Sequence, residues 1–252
     1  MTDAGAGTGV SPDVTGRRIV VAGATSASGT AVCAALLEAG ADVVAVGSDA
    51  GRLAELERRA PGITPEVCDL ADTAAVDALA ARLGAGGGID GLIHLVGGWV
   101  GGAGIPGQSE EGWAAMERSF RTLRSTTRAF YPALLASPAG RVAFVSSVSV
   151  EAPTASGASY TAAKAASESW MRSVADGFRR DAESESQASG GGAAATIFVV
   201  KALVDERMRD ASPEKTFAGF TDVRDLATAV LGLWQRPAAD LNGARIRLPS
   251  RP

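Results

Sequence analysis

The amino-acid sequence predicts an α/β fold: a doubly wound parallel sheet of about seven strands with helices on both faces. Two observations carry this expectation. Short, continuously apolar runs rich in Val and Ile recur along the 252 residues, as strands covered on both faces require. Between them lie longer stretches of helical periodicity, and such alternation specifies right-handed crossovers within one sheet.

The first strand is expected at Arg18–Ala22 (RIVVA), and small residues then lead into a helix over Ser28–Ala39. Strands follow at Asp42–Val46, Ile63–Cys68, Leu92–Val96, Val142–Ser146 and Thr196–Val200. The intervening helices are expected at Ala50–Ala60, Asp72–Leu83, Glu111–Leu135 and Ala158–Ala182, with a further one at Asp222–Trp234. A short last strand at Ala244–Leu248 comes after the turn-forming Asn242-Gly243. Two segments interrupt the pattern. Gly84–Gly88 reads as a tight link, and Glu183–Ala195 (ESESQASGGGAAA) as a solvent-exposed loop longer than usual. Residues 1–16, rich in Gly, Thr and Asp, read as a flexible tail without a secretory pattern, and residues 17–252 as one domain.

Composition narrows the function classes. A formal net charge of −4 offers no basic footprint for nucleic acid or an anionic membrane. No apolar run approaches the roughly 20 residues that span a bilayer. Cys33 and Cys68 have no metal or redox spacing, so they read as buried thiols in a reducing compartment, which points to the cytoplasm.

The most informative residues are Tyr160 and Lys164, with Ser147 upstream. Only Lys164, Lys201 and Lys215 occur among 24 Lys+Arg, and the chain has 2 tyrosines. A Tyr with a Lys four positions later arises by chance about 0.02 times in such a chain. On a helix this spacing places both side chains on one face, where an ammonium lowers the pKa of a phenol. An arginine would keep the charge and lose the compact point donor. Upstream, Gly23-Ala24-Thr25-Ser26-Ala27-Ser28-Gly29 follows a strand and opens a helix. Small residues there admit a pyrophosphate to the helix N-terminus.

These residues resemble the short-chain dehydrogenase/reductase family across residues 17–248, as a divergent member with a Rossmann-like sheet. The resemblance implies a homodimer or homotetramer acting on a small-molecule carbonyl or alcohol. Tyr160 is then the general acid, Ser147 a hydrogen-bond donor to the carbonyl oxygen, and Lys164 the ribose ligand. The cofactor turn spans Gly23, Thr25, Ser26, Ala27, Ser28 and Gly29, with Ala22 and Ala27 replacing the family's Thr and middle Gly. One methyl at Ala27 is expected to narrow the room for phosphate. Asp69-Leu70 matches the family element whose Asp receives the adenine amino group, the alternative being a turn residue or helix cap. Gly97 closes His94-Leu95-Val96-Gly97, which stands where the family has Asn-Asn-Ala-Gly. Gly47 and Ser48 replace the acid of NAD-preferring members. With Thr25 and Arg52 close by, they favour NADP(H) over NAD(H), unless Asp49 faces the same pocket.

Other positions also depart from the family. The Asn of its proton relay aligns with Ser119, or with Phe120 after a one-residue shift. Lys201-Ala202 replaces Pro-Gly, with Lys201 either near the cofactor or solvated, and a C-terminal Gly-Gly is missing. His94, the single histidine, reads as a strut between strands in preference to an acid or base. The loops Gly97–Gly107 and Ala202–Phe220 are expected to border the site, the first of them free to move. Trp99, Trp113, Phe217 and Phe220 lie on or near them. These departures keep two alternatives open: a redox-neutral enzyme using the same acid–base residues, and a nucleotide-binding regulator without catalysis.

Overall fold

The structure, a computed structural model, describes residues 14–184 and 192–250. The chain runs through β1 (Arg18–Ala22), α1 (Ala27–Glu38), β2 (Asp42–Gly47), α2 (Ala50–Arg59), β3 (Thr64–Val67) and α3 (Thr73–Ala85). It continues through β4 (Gly91–His94), α4 (Glu110–Ala136), β5 (Arg141–Ser147), α5 (Ala158–Ser184) and β6 (Ala194–Val200). Beyond the sixth strand come β7 (Leu203–Val204), α6 (Glu206–Ala211), β8 (Thr221–Asp222), α7 (Val223–Leu231), α8 (Ala238–Leu241) and β9 (Arg245–Arg247).

Seven strands form one parallel sheet in the order β3-β2-β1-β4-β5-β6-β9, as the sequence leads one to expect. Alternation along each strand feeds two cores. Ile19 and Val21 join Val32, Leu36, Leu226 and Val230 on the α1/α7 face. Val20 and Ala22 join Val76, Leu123, Phe130 and Phe178 on the face covered by α3, α4 and α5. The period of two thus divides one strand between two helical layers.

From β1 the chain winds outward to β3, then returns to place β4 on the other side of β1. Where the order reverses, the carboxyl ends of β1 and β4 face a crevice, the usual position of a ligand in an open α/β sheet. Ala22 pairs with His94, His94 with Phe144, and Ser147 with Val200, so these strand ends share one rim.

Several expectations need correction. The tail read into residues 1–16 does not extend to its last residues. Val14 is fully buried, and Gly16 N–H donates to the Gly40 carbonyl at 2.8 Å. Residues 1–13 of that tail, and 185–191 of the loop read at Glu183–Ala195, lie outside the described residues. The ends of that loop belong instead to α5 and β6. Strand β4 stops at His94: Leu95 N–H makes the last ladder bond, to the Ala22 carbonyl at 2.8 Å, and beyond it the chain leaves the sheet. Asp222 caps α7 instead of opening it, accepting from Arg224 N–H, and the end of the expected helix tightens into a 3-10 turn, Gly232–Trp234. Segment 202–220, read as a loop, holds α6 and one strand of a small β7–β8 sheet. Cys33 and Cys68 are buried free thiols, as expected.

Candidate active site

The turn after β1 is shaped by what cannot fit in it. Gly23 has φ +84°, and a Cβ there would lie 3.0 Å from the backbone of Leu95 and Val96. A Cβ on Gly29 would stand 2.3 Å from the Gly23 carbonyl oxygen, so only glycine lets α1 start this close to β1. Ser26 caps the helix: its Oγ accepts from Gly29 N–H at 3.0 Å and donates to the Gly23 carbonyl at 2.8 Å. Gly29 therefore lies beneath the turn as a support.

Two joined clefts open above these strand ends. The larger, about 550 Å³, contains Ser147, Tyr160, Lys164, Ser28 and Trp99 in its wall. The smaller, about 210 Å³, is lined by Gly23, Thr25, Ser48, Asp69 and Leu70. Ser26, Leu95, Val96 and Gly97 belong to both. The structure thus gathers most of the candidate residues along one crevice. Ala27 departs from this, lining a separate groove with Thr30, Asp205 and Asp222. Its methyl does not narrow the crevice as expected from sequence.

Ser147 is nearly buried at the end of β5, and its Oγ accepts twice from Ser149, from N–H at 3.1 Å and from Oγ at 3.0 Å. With both lone pairs occupied, its single hydrogen is left to donate. Burial raises the Tyr160 pKa, and a hydrogen bond with Ser147 acts in the opposite direction. The expected lowering of the Tyr160 pKa by Lys164 is absent. The Lys164 ammonium donates instead to the Val145 carbonyl at 2.8 Å, lying 4.6 Å from the Phe144 ring centre and 5.8 Å from that of Tyr160. Burial pushes Lys164 down to about 8, with Glu168 opposing that fall.

Ser119 lies outside the cleft walls, close to Gly97 and Lys164. A methyl on Gly97 would be 3.5 Å from Ser119 Oγ and 3.6 Å from Lys164 Nζ. Phe120 instead packs edge-on against Trp170. His94 is buried, with Nε2 3.2 Å from Thr122 Oγ1. Because Thr122 Oγ1 spends its hydrogen on the Ser119 carbonyl at 2.8 Å, Nε2 must be the donor and Nδ1 carries no proton. Burial, then the charge of Lys164, hold His94 down to about 3. It is neutral at ordinary pH and braces β4 against α4.

In the smaller cleft, Asp69 is a turn residue whose carboxylate accepts from Ala71 N–H and, on both oxygens, from Arg118 at 2.7 and 2.8 Å. Those bonds hold its pKa below the usual range, Ala71 foremost. The oxygens expected to meet an adenine amino group are thus already engaged. Asp49 caps α2 through Arg52 N–H and pairs with the Arg52 side chain, while Arg52 itself lines the cleft with Ser48.

The loops border the larger cleft in part. Trp99 and Gly98 line it from one side, Ala202 and Leu203 from the other. Trp113 lies outside the wall and is partly exposed; Phe217 and Phe220 pack against each other. Lys201 reaches the wall, donating to the Ala218 carbonyl at 3.0 Å. The glycine-rich loop is tied to the start of α5 through Gln108. Gln108 Nε2 donates to the carbonyls of Gly104, Ala155 and Ser156, and its Oε1 accepts from Ser159 N–H at 3.1 Å. Sequence reasoning gave no role to Ser149 or Gln108. The serine pair two residues apart, Ser147 and Ser149, was the available signal for the first.

Comparison with known proteins shows the family and the fold. A family model described as short chain dehydrogenase matches residues 17–182. A D-erythrulose reductase of Gallus gallus is 44% identical over 85 residues, 33% of this chain and 33% of that protein. The chain therefore matches only about a third of that relative's length. Among solved structures, an NADPH-bound short chain oxidoreductase from Pseudomonas aeruginosa PAO1, containing an atypical catalytic center, superimposes with a TM-score of 0.76 at 22% identity. That match covers 92% of this chain and 94% of the other. A gluconate 5-dehydrogenase from Burkholderia cenocepacia J2315, in complex with NADP and tartrate, gives 0.76 at 22% identity, covering 94% and 95%. At such identities the likeness is one of fold.

Proposed function

Because the chain belongs to the short-chain dehydrogenase family, we propose that it is an NAD(P)-dependent oxidoreductase interconverting a small-molecule carbonyl and alcohol. The observation that carries this reading is the meeting of Ser147, Tyr160 and Lys164 in one cleft that continues into the glycine turn. The turn fits a dinucleotide: the space a Cβ on Gly23 or Gly29 would fill is taken by backbone, which brings the start of α1 up to the crevice. Gly23, Thr25, Ser26, Ser28 and Gly97 would hold it. When bound, the nicotinamide supplies the hydride.

The chain's own groups handle the proton. Tyr160 donates to the carbonyl oxygen during reduction, and its burial keeps it protonated until that demand arises. Ser147, with both acceptor positions taken by Ser149, donates its O–H to the same oxygen and to the charge developing there. Lys164 would hold the ribose hydroxyls of the nucleotide through its ammonium, while the hydrogen bond from Ser147 is what favours the tyrosinate. Ser119, near Gly97 and Lys164, supports return of the proton through water.

NADP(H) is the favoured form. Thr25, Ser48 and Arg52 line the adenosine side, whereas Asp49 is engaged as the cap of α2. Asp69 and Leu70 border the adenine, Asp69 once Arg118 yields. Among the described residues no helix is long and apolar enough to cross a membrane. We place the protein in the cytoplasm as a homodimer or homotetramer built on α4 and α5, with neither nucleic acid nor membrane as partner.

The test is NADPH consumption with a panel of carbonyl compounds. Hydroxyketones come first, because Ser149, Thr154 and Ser156 bring hydroxyls to the cleft and D-erythrulose reductase is a relative. Turnover that disappears in Tyr160→Phe supports the reading. Turnover retained in that variant removes Tyr160 from the chemistry, and a strong preference for NADH overturns the cofactor assignment.

A further inference from the structure

One face of α5 carries Tyr160, Lys164 and Glu168 at successive steps of four residues. The third has no part in the chemistry above, yet it is a carboxylate with 1% of its surface exposed. Its partners come from three elements. Ser146 Oγ on β5 donates to Oε1 at 2.6 Å, and Arg172 on α5 donates to Oε2 at 2.9 Å. Arg245 Nε on β9 reaches both oxygens, at 3.2 and 3.1 Å. The same guanidinium extends to the Ser147 carbonyl at 3.4 Å and pairs with Glu151.

Stability alone is a weak reason for such a group. Desolvating a carboxylate costs several kcal/mol, and apolar side chains of similar volume often serve as well. Placement is the better reason: Glu168 adjoins the strand end bearing Ser147 and lies one turn from Lys164. We propose that Glu168 is a positioning residue acting through Lys164: its carboxylate, fixed by Ser146 and Arg245, keeps the buried ammonium charged.

The inference rests on the oxidoreductase reading only for its consequence, since the charged form of Lys164 is the one proposed to hold the ribose hydroxyls. Several groups face Lys164: Tyr160 and Glu168 from α5, His94 from β4, Ser119 from α4, and the Phe144 ring and Val145 carbonyl from β5. His94 is already neutral and does not titrate alongside it. Glu168 is thus the carboxylate opposing the effect of burial on Lys164. Arg172 and Arg245 bind it and dilute its field.

The test needs no substrate, so it separates this inference from the proposed activity. The sequence has three lysines, Lys164, Lys201 and Lys215, so lysine labelled with 13C at Cε gives at most three signals to follow against pH. In the intact protein the Lys164 midpoint is expected well below the ordinary 10.5, pushed down to about 8 by burial. Glu168→Gln lowers that midpoint by about one pH unit. Arg172→Gln, at a largely exposed position, removes a competing cation and moves the midpoint upward. Ser146→Ala keeps the charge but frees one carboxylate oxygen, and lowers the midpoint by less than Glu168→Gln does. A Lys164 midpoint unchanged in both charge variants, or displaced in the same direction by both, overturns the proposal. If Glu168→Gln fails to fold, Glu168→Asp decides: drawing the carboxylate back by one methylene should lower the midpoint, and an unchanged midpoint overturns the proposal.

Discussion

Beneath Tyr160 the polar groups are held by buried or half-buried partners: Ser147 by Ser149, Ser146 by Glu168, and Lys164 by the Val145 carbonyl. Around Ser48, in the other half of the crevice, charged side chains stand in solvent and pair with one another, Arg52 with Asp49 and Arg118 with Asp69. Exposed pairs of this kind are worth about 0–1 kcal/mol, so they exchange partners readily. The buried set does not, because each group that loses its partner inside the protein forfeits about 1–3 kcal/mol. One half is fixed by its buried bonds. The other presents exposed charges free to change partners.

The largest effect expected from this contrast lies in the buried half. Tyr160→Phe should reduce turnover by roughly 100-fold to 10,000-fold while cofactor affinity, read by fluorescence titration, stays close to the parent's. Equal losses in both would show that the two halves are not separable.

Gly29→Ala should act on both halves together. The added methyl meets the Gly23 carbonyl at 2.3 Å, so the turn must open, at a cost of about 1–3 kcal/mol in stability. Thermal unfolding would show the loss, and cofactor affinity should fall at least tenfold with it.

A third outcome concerns pH. His94 has a folded-state pKa of about 3 against an ordinary 6.5, so between those values the unfolded chain binds the extra proton. Stability is therefore lost as pH falls below 6.5, with a slope of up to about 1.4 kcal/mol per unit. Asp49, Asp69, Asp176 and Asp222, all held below the usual carboxylate range, add to that loss only below about pH 4. Urea midpoints at pH 7 and 5 should differ in the parent and converge in His94→Asn. A slope that survives the substitution would mean that His94 is not its source.

The smallest effect belongs to the exposed half. Arg52→Ala should weaken NADPH binding about fivefold to tenfold and leave NADH nearly unaffected. Parallel changes for the two nucleotides would remove Arg52 from phosphate recognition.

The strands and long helices were legible because Val- and Ile-rich runs and helical periodicity report burial directly, as in RIVVA at β1. The insertion after β6 was not. Leu203–Val204 and Glu206–Ala211 are too short to show a period, and they depend on the Asp205 cap and on the Arg209–Asp222 pair. In the site, the Tyr160–Lys164 spacing was readable because it is local. The ties of Ser146 to Glu168 and of Arg245 to Glu168 join residues 22 and 77 positions apart, and no pattern along the chain announces them. Asp69 shows a different limit. Its residue type suited an adenine contact, but its engagement with Arg118 depends on where α4 passes.

Gln108 has a mechanical consequence. Its amide joins the loop at the mouth of the larger cleft to Ala155 and Ser156, while its carbonyl caps Ser159 at the start of α5. Doorway and lever are therefore linked in series through one side chain. If the cleft takes a substrate as proposed, a molecule too bulky to pass without flexing the loop would pull on the first turn of the helix that carries Tyr160, so that admission and alignment would be coupled.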